Sequence, residues 1–395
     1  MAAAPPDRQF ICCEWKAMIY FDNNATTAVA LEAIEAMAAC MRTGPTNPSS
    51  KHKAGECSKE AVMGARSEVA RLLGCSPPEI VFTSCGTESN HLAILGALAL
   101  DPAKQHIVAS AVEHPSCLEL LAHLETKGVR VTYVPVDSRG QLDPETVAAS
   151  LAPDTALVSI MWANNETGVV FPIEAIAALA KARSVLFHTD AVQAVGKLRV
   201  DLKTIPVDLL SLSGHKLHGP TGIGALFVRK GVKLASQIFG HQERARRGGT
   251  ENVPGIIGLG KAAALAQKEL AQQDAHLSSL RDRLEAGILA RVPIASINGL
   301  GAARVANTTN IRFGDLEAEL LLERLDRAGI CASAGAACTS AGTEPSHVLL
   351  AMGLGERGAL SSVRFSLGRD NTEAEVDALL EVLPRIVNEA AAIAA

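Results

Sequence analysis

Short apolar runs rich in β-branched residues recur through the first two-thirds of this chain, separated by stretches with helical spacing, and that alternation constrains its fold more than any other feature. The runs are Ile80–Thr83, Ile107–Ser110, Val129–Val134, Leu157–Met161, Val185–His188, Leu209–Leu212 and Ala225–Val228. Several are apolar throughout, as strands covered on both faces of a sheet must be. Helical stretches at Ser89–Leu100, at Ser116–Lys127 (closed by Gly128) and at Ile173–Arg183 fall between them. Strand and helix in alternation predict a doubly wound α/β domain around a mainly parallel sheet. The segment joining the last two runs, GHKLHGPTGIG, has no helical pattern. A parallel crossover ordinarily contains a helix, so this final pair is expected to run antiparallel.

Near residue 260 the pattern changes. A long helical stretch over roughly Lys261–Arg291 precedes strand-like runs at Thr309–Arg312 and Val363–Ser366, with helices at Glu317–Ala328 and Thr372–Ala394. The last opens on Thr372 and Glu375, the spacing of a capping box. These elements predict a smaller α+β domain. The expected division is a large domain over 26–262 and a small one built from 1–25 and 263–395.

Composition narrows the function. Charged residues make up 20% of the 395, the formal net charge is −5, and no run of like charges occurs. That is not a nucleic-acid footprint, so the ligand is expected to be a small molecule or another protein. Nine cysteines are scattered without any C-x-x-C pair, which reads as free thiols in a reducing cytoplasm. No apolar run approaches the roughly 18 residues of a membrane span. The opening MAAAPPDRQFICCEWKA carries Asp7, Arg8, Glu14 and Lys16, and reads as a disordered leader, or a choice of start upstream of Met18, rather than a signal peptide.

Five segments can carry chemistry. Ser213-Gly214-His215-Lys216 follows a buried strand, and a lysine at the mouth of an α/β sheet suits a Schiff-base nucleophile; an ordinary surface lysine is the other reading. In VLFHTDAVQAVGK, Asp190 ends a strand three residues before Gln193. An aspartate there can pair with a protonated pyridine nitrogen, and it also fits a helix N-cap. Thr83-Ser84-Cys85-Gly86-Thr87-Glu88-Ser89 leads from a strand into a helix, where backbone N–H groups and hydroxyls suit a phosphate dianion, or simply cap the helix. Cys338 lies in SAGAACTSAGTEPS, small and polar without periodicity, where a thiol stays accessible. Zinc fits poorly, since Cys331, Cys338 and His347 form no structural ligand pattern. Arg364, in SSVRFSLGR, can hold a carboxylate through two parallel hydrogen bonds or form a surface salt bridge.

Together, YFDNNATT, NPSS, TSCGTES, VEHP, MWANNETG, HTDAVQAVGK, SLSGHKLHGP, HQERARRGGTEN, ACTSAGTEPSHV and SSVRFSLGR resemble the cysteine desulfurase family, specifically its nitrogen-fixation (NifS-like) branch. The resemblance runs from about Ile19 to about Asn388. It implies a fold-type-I homodimer that uses pyridoxal 5'-phosphate (PLP), with a seven-stranded sheet in the large domain. Lys216 matches the lysine that bonds to PLP, Asp190 the partner of its ring nitrogen, Gln193 the donor to its ring hydroxyl, and His114 the imidazole stacked on the ring. Gly86, Thr87, Ser213 and His215 match the phosphate site, and Thr250 the phosphate contact supplied by the other subunit. Asn165 and Arg364 match the groups that receive the substrate carboxylate. Cys338, on a loop at about 332–345, matches the cysteine that carries the persulfide. The implied reaction converts L-cysteine to L-alanine and passes sulfur to an iron–sulfur scaffold protein, with nitrogenase maturation as one destination. No metal is required for catalysis, although Cys338 would touch a nascent iron–sulfur cluster. Selenocysteine lyase or an aminotransferase is the alternative on the same fold, and a silent docking protein the alternative outside enzymes. Ala336 stands where the family usually has serine. The leader before Met18 has no counterpart, and the chain ends soon after its last helix, which puts docking of a carrier through a C-terminal tail in doubt.

Overall fold

The computed structural model describes residues 18–44, 47–335 and 344–394; the leader and Cys338 lie outside the described residues. The chain enters through β1 (Ile19–Tyr20), α1 (Leu31–Arg42) and α2 (Lys53–Leu73). The sheet-building part follows as β2 (Ile80–Thr83), α3 (Gly86–Leu98), β3 (His106–Ser110), α4 (Pro115–Glu125), β4 (Arg130–Val134), α5 (Pro144–Ala149), β5 (Thr155–Ser159), α6 (Ile173–Ala182), β6 (Leu186–Asp190), β7 (Leu209–Ser213) and β8 (Gly224–Val228). Helix α7 (Val253–Arg291) leads into β9 (Ala295–Asn298), β10 (Thr308–Phe313), α8 (Ala318–Arg327) and β11 (Ile330–Cys331). The chain closes with α9 (His347–Ala351), α10 (Gly355–Leu360), β12 (Ser362–Ser366) and α11 (Glu373–Ala394).

The seven strands β2 to β8 form one sheet in the order β2-β8-β7-β6-β5-β3-β4. Strand β8 runs antiparallel to both neighbours, in keeping with a β7–β8 connection that holds one 3-10 turn, Gly214–Lys216, but no α-helix, and the other pairings are parallel. The continuous apolar runs have a direct cause. Val108, Val158 and Leu210 point into one hydrophobic cluster, while their chain neighbours Ile107, Leu157 and Leu209 point into another on the opposite face. A strand with helices on both sides needs an apolar residue at every position.

A third cluster gathers Phe21, Ile311, Phe313, Val363 and Phe365 with Leu379 and Leu383 of α11. Helix α7 serves two cores: Val253, Ile256 and Leu259 belong to the sheet's core, Leu280, Leu284 and Ile288 to this one. It starts eight residues before the expected Lys261, with Asn252 Oδ1 accepting from Gly255 N at 3.1 Å. Its glycines hid that first turn from the periodicity. A Cβ on Gly260 would lie 2.6 Å from Cα of Ala65, so the two helix backbones meet there only because the side chain is absent. The expected capping box is present, Thr372 N donating to Glu375 Oε2 at 2.8 Å and Glu375 N to Thr372 Oγ1 at 3.3 Å.

Three further differences are local. The expected run Leu157–Met161 pairs as Thr155–Ser159, because the chain leaves the ladder while still buried. Helix α3 begins at Gly86 rather than Ser89. The helix that an N-cap role for Asp190 anticipates does not form: residues 191–196 turn instead, ended by Gly196 at φ +81°.

Candidate active site

In open α/β sheets, ligands settle outside the carboxyl ends of the strands. A cavity of about 390 Å3 lies there, lined by Gly86, Thr87, His114, Asn165, Asp190, Gln193, Ser213, His215, Lys216 and Arg364 among others. Ten of the twelve residues singled out in the sequence thus converge on one space. Thr250 does not line it; it is exposed on the segment before α7. Cys338 lies outside the described residues.

One end of the cavity is built for an anion. Helix α3 starts at the tip of β2, and its N-cap residue Cys85 makes no side-chain cap, leaving N–H groups of the first turn for a ligand. A Cβ on Gly86 would lie 2.9 Å from Val192 Cγ2, so only glycine lets that backbone stand so close to the neighbouring turn. Ser213 Oγ is buried and finds no hydrogen-bond partner among the described residues. His215 Nδ1 lies 3.2 Å from Thr26 Oγ1. Burial, reinforced by Lys216, pulls its imidazole down to about 4.

Asp190 ends the central strand β6 inside the cavity. Both of its oxygens accept, Oδ1 from Val192 N at 3.0 Å and Oδ2 from Asn90 Nδ2 at 2.7 Å. Asn90 also donates to Ser116 Oγ at 3.0 Å, and Ser116 N donates to His114 Nδ1 at 3.1 Å. A backbone N–H only donates, so His114 Nδ1 carries the lone pair and the proton of the neutral ring sits on Nε2. Burial pulls the imidazole below its ordinary range, with help from Lys216 and His347 and against the pull of Asp190.

Lys216 Nζ donates to the carbonyls of Asn24 and Ala25, both at 2.5 Å. The Asn24 carbonyl also accepts from Gln193 Nε2 at 3.0 Å. Arg364, in β12 and only 1% exposed, reaches across from the third core. It pairs with Asp22 at 2.6 Å and donates to the carbonyls of Gly335 at 3.0 Å and Asn165 at 3.2 Å. Its Nε has no partner among the described residues. The arginine end of the salt bridge is buried and Asp22 partly so, and the arginine belongs to the cavity rather than the surface. Sequence reasoning passed over Asp22, Asn24, Asn90 and Lys197 as individual residues. Asp22 and Asn24 sat inside the quoted YFDNNATT, but their partners are more than a hundred residues away.

Residues 19–379 match the class-V aminotransferase family. "Cysteine desulfurase 2" of Trichormus variabilis is 52% identical over 377 residues, covering 95% of this chain and 94% of the relative. The chain belongs to the class-V aminotransferases, among the cysteine desulfurases. "Cysteine desulfurase NifS" of Azotobacter vinelandii is 48% identical over 371 residues, with 93% of this chain and 92% of the relative covered. The solved structure of a NifS-like protein superposes with a TM-score of 0.88 at 38% identity, covering 94% of this chain and all of the other.

Cysteine desulfurases of this family use PLP, and the cavity fits that group. The bare N-terminus of α3 and the unpartnered Ser213 hydroxyl suit its phosphate, the Asp190 carboxylate its ring nitrogen, and the Lys216 amine its aldehyde carbon. The cavity volume falls within the usual range for a cofactor site, about 300–1,000 Å3.

Proposed function

We propose that this desulfurase takes the sulfur of L-cysteine onto Cys338 as a persulfide and releases L-alanine. The observation that carries the reading is one cavity holding an amine, Lys216, a carboxylate braced on both oxygens, Asp190, and a buried guanidinium, Arg364. Bound PLP supplies an electron sink for the substrate's Cα. Arg364 and Asn165 receive the substrate carboxylate and orient Cα toward Lys216. Lys216 carries the proton between Cα and the product. Asp190 would hold positive charge at the ring nitrogen, and His114, whose neutral ring carries its proton on Nε2, would lie against the ring. The Cys338 thiolate attacks the substrate sulfur. One C–S bond breaks, one S–S bond forms, and the electron pair left on carbon takes up a proton, so no external oxidant is needed.

The division into 26–262 and 1–25 with 263–395 is part of this reading, supported by the way α7 serves two separate cores. So is the homodimer. Thr250 is exposed at the end of a segment whose Phe239 is 87% exposed, and α1 separately exposes Leu31, Ile34 and Met41. Glu243, Arg244 and Ala245 hold left-handed φ values of 46°, 60° and 61°, strain that non-glycine residues keep only where surrounding contacts impose it. Glu243 supplies those contacts, binding Arg66 at 2.6 Å and Phe82 N at 3.0 Å. We place the enzyme in a reducing cytoplasm, with an iron–sulfur scaffold protein as the final sulfur acceptor. Among the described residues no helix is long and apolar enough to cross a membrane.

Sulfur-labelled L-cysteine tests the reading. Alanine should appear stoichiometrically with label on Cys338; Cys338→Ala should bind PLP yet acquire no persulfide, and Cys85→Ala should lose much less. Label on Cys85 with full transfer in Cys338→Ala overturns the assignment.

A further inference from the structure

Behind the cavity lies a second lysine to which the mechanism above gives no task. Lys197 follows the turn after Asp190, and its Nζ donates to Gln193 Oε1 at 2.5 Å and to Asn24 Oδ1 at 2.8 Å. Both acceptors are oriented without reference to Lys197. Gln193 Nε2 donates to the Asn24 carbonyl, and Asn24 Nδ2 donates to the Asn165 carbonyl at 3.0 Å and to Thr308 Oγ1 at 2.8 Å. A carbonyl only accepts, so each amide presents its oxygen to Lys197. Asn307 Nδ2 adds a second donor to Asn24 Oδ1 at 3.1 Å. On its far side Lys197 lines a separate cavity of about 40 Å3, with room for ordered water to take a remaining N–H.

Resting on the functional reading above, we propose that Lys197 is a positioning residue: by holding the Gln193 carbonyl oxygen from behind, it keeps the Gln193 NH2 facing the cavity as a donor to the PLP ring hydroxyl. The side-chain amide is nearly symmetric in shape. Rotation by half a turn would set the amide oxygen against the Asn24 carbonyl as well as against the ring hydroxyl; two bonds oppose it, Nε2 to that carbonyl and Lys197 to Oε1, and loss of Lys197 leaves one. Burial, together with the neighbouring charges of Lys216 and Arg364, pulls the Lys197 amine well below the ordinary lysine range. Neutral or charged, it remains a donor to both oxygens. A donor aimed at the ring oxygen stabilises that oxygen's anion, so its loss makes the bound chromophore more basic.

The test is a spectrophotometric pH titration of the cofactor-loaded protein. Lys197→Met should move the absorbance midpoint up by about one pH unit, a tenfold change in acidity of the size one hydrogen bond to a charged atom produces. Gln193→Leu should shift it similarly, and Lys197→Met in that background should add nothing, because the two act as one unit. Lys197→Arg keeps the donors and should return the midpoint toward wild type; should Lys197→Met not fold, this variant and Gln193→Leu carry the test, and an arginine variant matching Gln193→Leu counts against positioning. A lysine effect of equal size with and without Gln193 is a through-space charge effect and overturns the proposal, as does an unmoved midpoint. A wild-type protein that carries no visible chromophore and releases no alanine refutes the functional reading itself, and the proposal with it.

Discussion

Glu113 precedes His114 in the chain, and its carboxyl is wholly buried. Oε1 accepts from Ser110 Oγ at 2.5 Å and from Met161 N at 2.9 Å, while Oε2 has no partner among the described residues. Burial raises the group from 4.5 to about 8, with Asp190 adding to the rise and the bonds from Ser110 and Met161 opposing it. The folded protein therefore holds this proton more tightly than the unfolded chain. Its contribution to stability is complete below pH 4.5 and is lost as pH rises through about 8. The whole interval is worth about 5 kcal/mol at about 1.4 kcal/mol per tenfold change, and the portion between pH 6 and 8 about 2 kcal/mol. Glu113→Gln keeps the shape and the acceptor for Met161 N but cannot ionise. Urea unfolding of both proteins at pH 6, 7 and 8 should show the wild type losing about 2 kcal/mol relative to the variant across that range. His188, buried and pulled down to about 3, acts with the opposite sign at lower pH and is common to both proteins, so it cancels. A difference that stays constant from pH 6 to 8 would refute the argument that Glu113 is protonated in the fold.

Borohydride reduction of the loaded protein followed by peptide mapping should place the pyridoxyl group on Lys216, and label on another lysine would remove it from its role. Asp190→Asn should retain some cofactor but lose most turnover, since each lost pKa unit at the ring nitrogen is about 1.4 kcal/mol; near-normal alanine release would show that the ring does not depend on this charge. Mixing inactive Lys216→Ala chains with inactive Thr250→Ala chains should restore part of the activity, because a hybrid dimer can contain one intact site. No recovery despite demonstrated subunit exchange would argue against a shared site.

The sheet was legible because its strands are buried on both faces and read as unbroken apolar runs. The site was legible where a functional residue ends such a run, as Asp190 ends β6 and Lys216 follows β7. Strand β9 was not, since it is only four residues long and of these only Asn298 is buried, Ser296 being exposed and Ala295 and Ile297 partly so; an alternation that short is no signal. The pairing of β1 with β11 rests on two residues from each strand, far below any periodicity signal. Asn24, Asn90 and Lys197 were missed for a different reason. A polar residue whose partners come from remote segments looks, along the chain, like any surface residue. The start of α7 did carry a signal, Asn252 with Pro254 two residues on, which the following glycines masked.

The segment around Asp22 and Asn24 joins the first part of the described chain to nearly the last. Asn24 N donates to Ser366 Oγ, and Asp22 holds Arg364, each across 342 residues. On a ribosome adding about 5–20 residues per second, those partners emerge roughly 20 to 70 s after the segment that needs them. The carbonyl that anchors Lys216 thus waits, unsecured by β12, while the entire sheet is made. The site is completed only once β12 has been made, so a chain released before β12 has all seven strands of the sheet but not the clasp that holds Asn24 against its lysine.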